Sequence, residues 1–178
     1  MHAYGQLMIE HRLIERMLLV IKAALNKIHF KHEIDPVFVD IAVDFIRVYA
    51  DRTHHGKEED ILMRELKNKQ LSTADQQIMN ELIREHVLVR QTTALISSAN
   101  DRYRSGDELA LIVIANNLKT IIEFFPKHIE KEDKKFYPAS RTYFTDEEDQ
   151  AMFEEFGDLD RKMVYEKYKA VVEKLENQ

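Results

Sequence analysis

The chain of 178 residues has no cysteine and very little glycine and proline, with four and three residues respectively. The absence of cysteine excludes disulfides, thiolate zinc sites and cysteine-held iron–sulfur clusters, so any metal must be bound by histidine and carboxylate side chains. The scarcity of glycine and proline, with 44% hydrophobic and 33% charged residues, favours long helices over strands and tight turns.

Two further absences narrow the class of protein. No apolar run reaches about 18 residues, the length that a transmembrane helix needs, and the N-terminus lacks the charged-then-apolar order of a signal peptide. The net charge of -6 and the lack of a basic block argue against nucleic acid as a partner. We therefore expect a cytoplasmic protein with neither a membrane nor a nucleic-acid partner.

Hydrophobic periodicity predicts four long helices followed by a further helical region. Asp35-Pro36 and Ser72 carry the cap signals of helix starts, and Thr145 with Glu148 forms a capping box before the last region. The four stretches in which apolar residues recur with the helical period are residues 6–30, 36–69, 75–104 and 107–137.

Long helices joined by short connections indicate an antiparallel up-down bundle. We therefore expect an all-α protein. Residues 1–140 would form the four-helix bundle, and residues 141–178 a C-terminal helical extension packed on the same domain.

The pattern His-x-x-Lys-Glu occurs twice, as His54 to Glu58 and as His128 to Glu132. Residues four apart lie on the same face of a helix, so each copy can aim an imidazole and a carboxylate at one point. A further histidine precedes each copy at nearly the same distance, His11 in the first half and His86 in the second. The chain thus reads as two halves with matching residues.

In an up-down bundle these four histidines come one from each helix and can fall in one layer. A single histidine on an apolar stripe is usually a core residue, but six polar groups in one layer would cost several kcal/mol without a metal or other partners. They are too many for one tetrahedral zinc and suit two ions, with iron the redox metal that mixed imidazole and carboxylate ligands favour. The predicted ligands, two histidines for each ion and two bridging glutamates, are His11, His54, Glu58, His86, His128 and Glu132.

The motif of the second helix has two alternative registers, His54 with Glu58 or His55 with Glu59. Alignment of Lys57 with Lys131 of the second copy favours His54 and Glu58. His55 and Glu59 are then expected beside the inward stripe, facing outward or supporting the ligands. Whether His55 joins the metal site stays open.

These residues resemble the hemerythrin-like family, the HHE cation-binding domains, over about residues 6–140. The resemblance implies a four-helix bundle with a non-haem di-iron centre, bridged by carboxylate and by an oxo or hydroxo group, that binds or reacts with oxygen, nitric oxide or peroxide. The segments that carry it are Glu10-His11, His54 to Leu62, Glu85-His86, His128 to Glu132 and Phe136-Tyr137-Pro138.

One position departs from the family pattern. The oxygen-carrying hemerythrins have a further histidine one turn after that of the third helix, where this chain has Arg90, and the equivalent place in the first half is Glu15. By this pattern the carriers' set of five histidines is incomplete. Four histidines and two glutamates look more like the iron-centre-repair branch, although those proteins often carry a cysteine-bearing N-terminal segment.

Two interpretations of Arg90 stay open. It forms a salt bridge with Glu15 or Glu81, or it lies at an open metal position and stabilises a bound anion. Glu15 is alternatively an extra ligand. Glu10 and Glu85 cannot face the histidines that follow them on their own helices, so they would serve a histidine of another helix.

The sequence leaves three functions open. The first is a di-iron protein that binds, senses or delivers oxygen, nitric oxide or iron. The second is a di-iron enzyme that reduces peroxide or nitric oxide or repairs damaged iron centres. The third is a structural bundle with incidental histidines. The sequence identifies neither a protein partner nor an oligomeric state.

Overall fold

The computed structural model describes residues 2–176, and these form five helices and no strand. The all-α fold and the four predicted bundle helices are confirmed, with ends that differ by a few residues. The helices are α1 at Ala3–Lys31, α2 at residues 36–66, α3 at Thr73–Arg104, α4 at residues 110–141 and α5 at Asp146–Glu176.

The predicted capping signals act as expected. The Asp35 carboxylate accepts a hydrogen bond from the Val37 amide at 2.9 Å, and Ser72 Oγ accepts one from the Asp75 amide at 3.1 Å. Thr145 and Glu148 each accept the other's backbone amide, which completes the capping box. These local bonds satisfy donors that would otherwise be unpaired at the helix starts.

Contacts between side chains show that neighbouring helices of the bundle are antiparallel. Along α2, Asp40 bonds Asn100 of α3 at 2.8 Å and Asp51 bonds Arg90 at 2.8 Å. Rising residue numbers on one helix therefore meet falling numbers on the other. Helices α1, α2, α3 and α4 each pack on two others of the set, as in a square bundle.

Two of the bundle helices change their hydrogen-bonding pattern near the two His-x-x-Lys-Glu motifs. Helix α2 is π-helical at Phe45–His55 and again at Glu58–Leu62, and α4 is π-helical at Glu132–Phe136. A π-helix bonds i to i+5, so each turn holds more residues and successive side chains diverge by a smaller angle than in an α-helix. Such segments are rare and occur mostly at functional sites.

The core consists of two apolar clusters separated by a polar layer. One cluster runs from Ile14 to Ile28 on α1 and includes Leu118 and Phe125 of α4. The other contains Leu7, Leu82 and residues of α5. The histidine and glutamate motifs lie between the two clusters.

Helix α5 packs along α1 and α2. Met152 and Phe156 are buried in the second cluster, and ion pairs join Lys167 to Asp44 and Arg64 to Glu155. Over residues 2–176, none of the helices combines the length and apolar character required to cross a bilayer.

Candidate metal centre

The polar layer contains five histidines and two glutamates, and each is at most 2% exposed. The structure brings together all six residues that the sequence analysis proposed, and it adds a fifth histidine, His55. By helix, the layer is made of His11 from α1, His54, His55 and Glu58 from α2, His86 from α3, and His128 and Glu132 from α4.

One group within the layer consists of His11, His54 and Glu132, whose donor atoms could hold one metal ion. The Nε2 atoms of His11 and His54 are 2.9 Å apart, and His11 Nε2 is 3.2 Å from Glu132 Oε2. Two ligands bound at about 2.1 Å and at right angles to each other would be about 3 Å apart, so these separations suit ligands that share one ion.

A second group consists of His55, His86 and His128. The rings of His55 and His86 are stacked with centroids 3.9 Å apart, and the rings of His86 and His128 are 5.0 Å apart at 77°. Three imidazoles therefore converge here, whereas the first group has two.

The two glutamates lie between the groups. Glu132 directs Oε2 toward His11 and Oε1 toward His128, whose Nε2 is 3.0 Å away. Glu58 Oε2 is 3.4 Å from His86 Nε2 and 3.9 Å from His54 Nε2. A third group that could hold a metal joins Glu58, His86 and Glu132. The two carboxylates thus lie between the two histidine groups.

Each of the five histidines directs its Nδ1 atom away from the inside of the layer, and this atom is hydrogen-bonded to a carboxylate. Such a bond fixes the orientation of the ring and makes the inner nitrogen a better metal ligand. The acceptors, with Nδ1–oxygen distances, are Asp133 for His11 at 2.7 Å, Glu10 for His54 at 3.0 Å, Asp51 for His55 at 3.3 Å, Glu59 for His86 at 2.7 Å and Glu85 for His128 at 2.8 Å.

Glu10 and Glu85 therefore support histidines of other helices, as helix geometry predicted. Burial raises the pKa of these carboxyls, but the contacts with His54 and Lys57, or with His128 and Lys131, lower the pKa more. Both stay ionised and are good acceptors.

Buried nitrogen and oxygen atoms inside the layer lack hydrogen-bond partners, as expected for a metal centre. In the described part of the chain, six buried atoms of the layer have no hydrogen-bond partner: Nε2 of His55, His86 and His128, Oε2 of Glu58, and both oxygens of Glu132. Buried polar atoms are usually satisfied, so a cluster of orphaned ligand atoms indicates that something else binds them. Imidazole nitrogen with carboxylate oxygen is a donor set of first-row transition metals.

The pKa values of the histidines differ across the layer. Burial lowers the pKa of His11, but Asp133 and Glu132 outweigh it and raise the pKa to about 9. For His128, Glu132 and Glu85 likewise outweigh burial and raise the pKa to about 9. Burial lowers the pKa of His54 to about 4, against the contact with Glu10.

The two glutamates have opposite shifts. Burial and the charge of Glu132 raise the pKa of Glu58 well above its usual value. Burial also acts to raise the pKa of Glu132, but the surrounding histidines lower it well below its usual value. Tyr137 donates a hydrogen bond to Glu58 Oε1 at 2.7 Å, and its hydroxyl lies 3.4 Å from His11 Nε2. Burial and Glu58 raise the pKa of this phenol, so it remains a donor.

The expectation that His55 faces outward is wrong, because His55 is fully buried and belongs to the second group. The π-helical segment Phe45–His55 is the reason. Its wider turn lets the adjacent His54 and His55 both face the interior, each toward a different group. Glu59 does support a ligand, His86.

Arg90 and Glu15 lie outside the layer. Arg90 pairs with Asp51 at 2.8 Å and with Glu59 at 2.6 Å, so a salt bridge is the correct interpretation, although not with the partners expected. Glu15 pairs with Arg12 at the surface at 2.8 Å. Both side chains are partly exposed and have their ion-pair partners outside the inner face of the layer, and Arg90 contacts the two carboxylates that hold His55 and His86.

Three residues of the site were not predicted from the sequence. Asp133 directly follows Glu132 and could not be distinguished from a surface acid. Tyr137 was noted only as part of the resemblance; it directly follows the π-helical segment Glu132–Phe136 and is buried. Asp51 gave no signal before the position of His55 was known.

A comparison with protein-family models gives one match. The model described as Hemerythrin HHE cation binding domain matches residues 2–140, which include every residue of the layer and Tyr137. No curated protein and no solved structure matches the chain. The match ends within α4, and α5 lies outside it.

Proposed function

The chain belongs to the hemerythrin HHE cation-binding domain family, and from that premise we propose that it is a non-haem di-iron protein that binds dioxygen, nitric oxide or peroxide. The observation that carries the proposal is the division of one buried layer into two ligand groups with two glutamates between them. A single ion would leave one group unsatisfied.

Iron is the metal that these ligands favour for chemistry with small oxygen and nitrogen species. Imidazole and carboxylate donors suit Fe, and the pair of ions would supply the electrons needed to bind or reduce a diatomic ligand. The two glutamates cancel only part of the charge of two divalent ions. The remaining positive charge favours anionic ligands at the centre.

The two positions are unequal. The group of His55, His86 and His128 has three imidazoles, whereas His11 and His54 provide two. With the glutamates shared, the position of His11 and His54 has one protein ligand fewer, so an external ligand would bind there. The Tyr137 hydroxyl, 3.4 Å from His11 Nε2, borders this position. The five histidines equal in number those of the oxygen-carrying hemerythrins, although the fifth comes from the second helix.

The burial of the layer favours ligands of a few atoms. Two surface grooves are lined by α5: one of about 600 Å³ also has Glu10 and Thr53 in its lining, and one of about 320 Å³ has Asp51 and Glu59. Both reach carboxylates that hold the histidines, and neither is lined by the inner ligand residues. A large organic substrate would not reach the ions without opening the helices.

These features favour reversible binding, as in a carrier or sensor, over turnover. The test is metal analysis and absorption spectroscopy of freshly purified protein, followed by anaerobic reduction and exposure to oxygen. We expect two irons per chain, the spectrum of an oxo-bridged di-iron centre, and an oxygen adduct that reverses when oxygen is removed.

Other outcomes would decide against parts of the proposal. Rapid autoxidation with consumption of an added reductant would support the alternative, an enzyme that reduces peroxide or nitric oxide or repairs iron centres. A single zinc ion per chain would overturn the dinuclear centre.

A further inference from the structure

Behind the carboxylates that hold the five histidines stand four cationic side chains, and each cation is shared by two carboxylates. For three of the cations one carboxylate holds a histidine and the other holds none, whereas both carboxylates of Arg90 hold a histidine. The sets are Arg12 with Asp133 and Glu15, Lys57 with Glu10 and Asp160, Arg90 with Glu59 and Asp51, and Lys131 with Glu85 and Glu81.

Lys57 differs from the other three cations in two ways. It is 0% exposed, whereas Lys131, its counterpart in the second half of the chain, is 24% exposed. Its second carboxylate, Asp160 at 2.5 Å, comes from α5. The other three cations take both carboxylates from the bundle, within the residues that the family model covers.

Further contacts place Asp160 in this arrangement. Gln6 Nε2 donates to Asp160 Oδ2 at 2.9 Å and to Glu10 Oε1 at 3.2 Å. The Lys57 ammonium also lies over the ring of Phe156, one turn earlier on α5, 5.9 Å from its centroid. Helix α5 therefore holds the buried ammonium from two sides.

We propose that Asp160 is a positioning residue of the two-histidine metal position, acting through Lys57 and Glu10 on His54. The C-terminal helix thus completes the support of one ion, which the family domain alone leaves incomplete. This inference rests on the proposed dinuclear centre.

The direction of the effect follows from charge sharing. Asp160 neutralises part of the Lys57 charge, and Glu10 keeps more of its negative charge for the His54 Nδ1–H bond. A stronger acceptor makes Nε2 of His54 a better ligand. Without Asp160, Lys57 would draw Glu10 toward itself, and His54 would bind the ion less tightly. Lys57 is itself fully buried and has Glu10 as its other carboxylate partner, so the charge that Asp160 no longer balances acts on Glu10.

The test uses the full-length protein loaded with Zn²⁺, which is diamagnetic and accepts the same ligands. Asp160→Asn keeps the size of the side chain and removes its charge. We expect the dissociation constant of one of the two ions to rise about tenfold, the lower end of the range for a residue that supports a ligand. Nuclear magnetic resonance of histidine-labelled protein should show a shifted and faster-exchanging His54 Nδ1 proton, with the His128 proton unchanged.

Three variants control the experiment. Asp158→Asn makes the same charge change on the same helix at a side chain 73% exposed and should change neither quantity. Glu81→Gln is the counterpart in the second half and should shift the His128 proton instead. Asp160→Glu should restore most of the affinity, because the carboxylate is regained.

If Asp160→Asn leaves both zinc dissociation constants and the His54 proton unchanged, the inference is wrong. If the wild-type protein binds fewer than two ions, the proposed centre fails. In that case the His54 Nδ1 proton of the metal-free protein still measures the effect of Asp160. A shift of this proton in Asp160→Asn would support the role of Asp160 in positioning His54, and the absence of a shift would contradict it. Circular dichroism of each variant excludes unfolding as the cause.

Discussion

His55 is the residue whose position most changes the chemistry of the layer. Fully buried and stacked on His86, it turns one half of the layer into a three-imidazole group. The unequal groups, rather than the total number of ligands, are what would give one ion an open position. The role of His55 can be separated from that of the other histidines by substitution.

His55→Ala should weaken the binding of one ion by about 100-fold or more, because loss of a residue that only supports a ligand already costs about 10- to 100-fold. Titration of metal-free protein with Fe²⁺ or Zn²⁺ measures the effect. His29→Ala, which removes an exposed histidine near the end of α1, is the control and should bind two ions as the wild type does. Two tight ions in His55→Ala would refute the role of His55.

The Tyr137 hydroxyl donates a hydrogen bond to the buried carboxyl group of Glu58. Tyr137→Phe should lower the free energy of unfolding of the metal-free protein by about 1–3 kcal/mol, because it leaves a buried carboxyl oxygen without a donor. If Glu58 is a metal ligand as proposed, the loss should be smaller in the metal-loaded protein. Urea denaturation of both forms measures the difference.

Tyr143→Phe is a suitable comparison, since it removes a hydroxyl that bonds Asp75 near the protein surface. Its cost should be below about 1 kcal/mol and the same with and without metal. Equal losses for the two forms of Tyr137→Phe would contradict the contact with Glu58 as the cause.

The pH dependence of the metal-free protein follows from three histidines. His11 and His128 have a folded-state pKa of about 9 against an ordinary 6.5, so their contribution to stability is complete below 6.5 and is lost as the pH rises toward 9. His54, with a pKa of about 4, contributes above 6.5 and loses this contribution as the pH falls toward 4. Stability should therefore be greatest near pH 6.5.

Denaturation midpoints of the metal-free protein between pH 5 and 9 test this expectation. The metal-loaded protein is the control, because imidazole nitrogens that bind metal cannot take up protons. Its stability should not fall between pH 6.5 and 9. If the stability of the metal-free protein instead rises steadily between pH 6.5 and 9, the pKa values of His11 and His128 are not raised.

At the scale of the helix, the π-helical segments place ligands that an α-helix would separate. Phe45–His55 carries His54 and His55 inward together, and Glu132–Phe136 brings both Glu132 and Tyr137 to the interior. Each segment forgoes the more regular i to i+4 bonding. We infer that packing in the polar layer stabilises this less common backbone.

Helix α5 behaves as part of the bundle core. Phe156→Ala should lower the free energy of unfolding by about 3–5 kcal/mol, since Phe156 is fully buried and a cavity would remain. Urea denaturation with the metal kept constant measures the loss. Val164→Ala on the same helix is the control, 59% exposed, and should change stability by less than about 0.5 kcal/mol. A small effect of Phe156→Ala would show that α5 packs only weakly.

At the scale of the whole molecule, the polar layer lies between two apolar clusters that can each hold helices together. Removal of the metal should therefore preserve the helical content but lower the midpoint of thermal unfolding. Restoring Fe²⁺ at about 100 times its dissociation constant should add about 2.7 kcal/mol for each ion. Ca²⁺ is the control and should add nothing, because it prefers oxygen ligands. Equal midpoints with and without iron would contradict a structural contribution of the centre.

The sequence alone determined the helices, their order and six residues of the layer. Helical periodicity and cap residues are local properties, so the inward positions of His11, His86 and His128 follow from the 3.6-residue repeat. The duplicated His-x-x-Lys-Glu pattern likewise indicated that Glu58 and Glu132 form a pair. Neither conclusion needed a contact between distant residues.

Only the tertiary structure decided the place of His55 and the link from α5 to the centre. Whether a stretch bonds as α- or π-helix depends on what its side chains pack against, and the periodicity of α2 does not show it. Lys57 and Asp160 meet because two helices far apart in sequence lie side by side. Such contacts arise from packing of the whole chain, and an acidic residue on an amphipathic helix gives no sign in advance of which cation it will pair with.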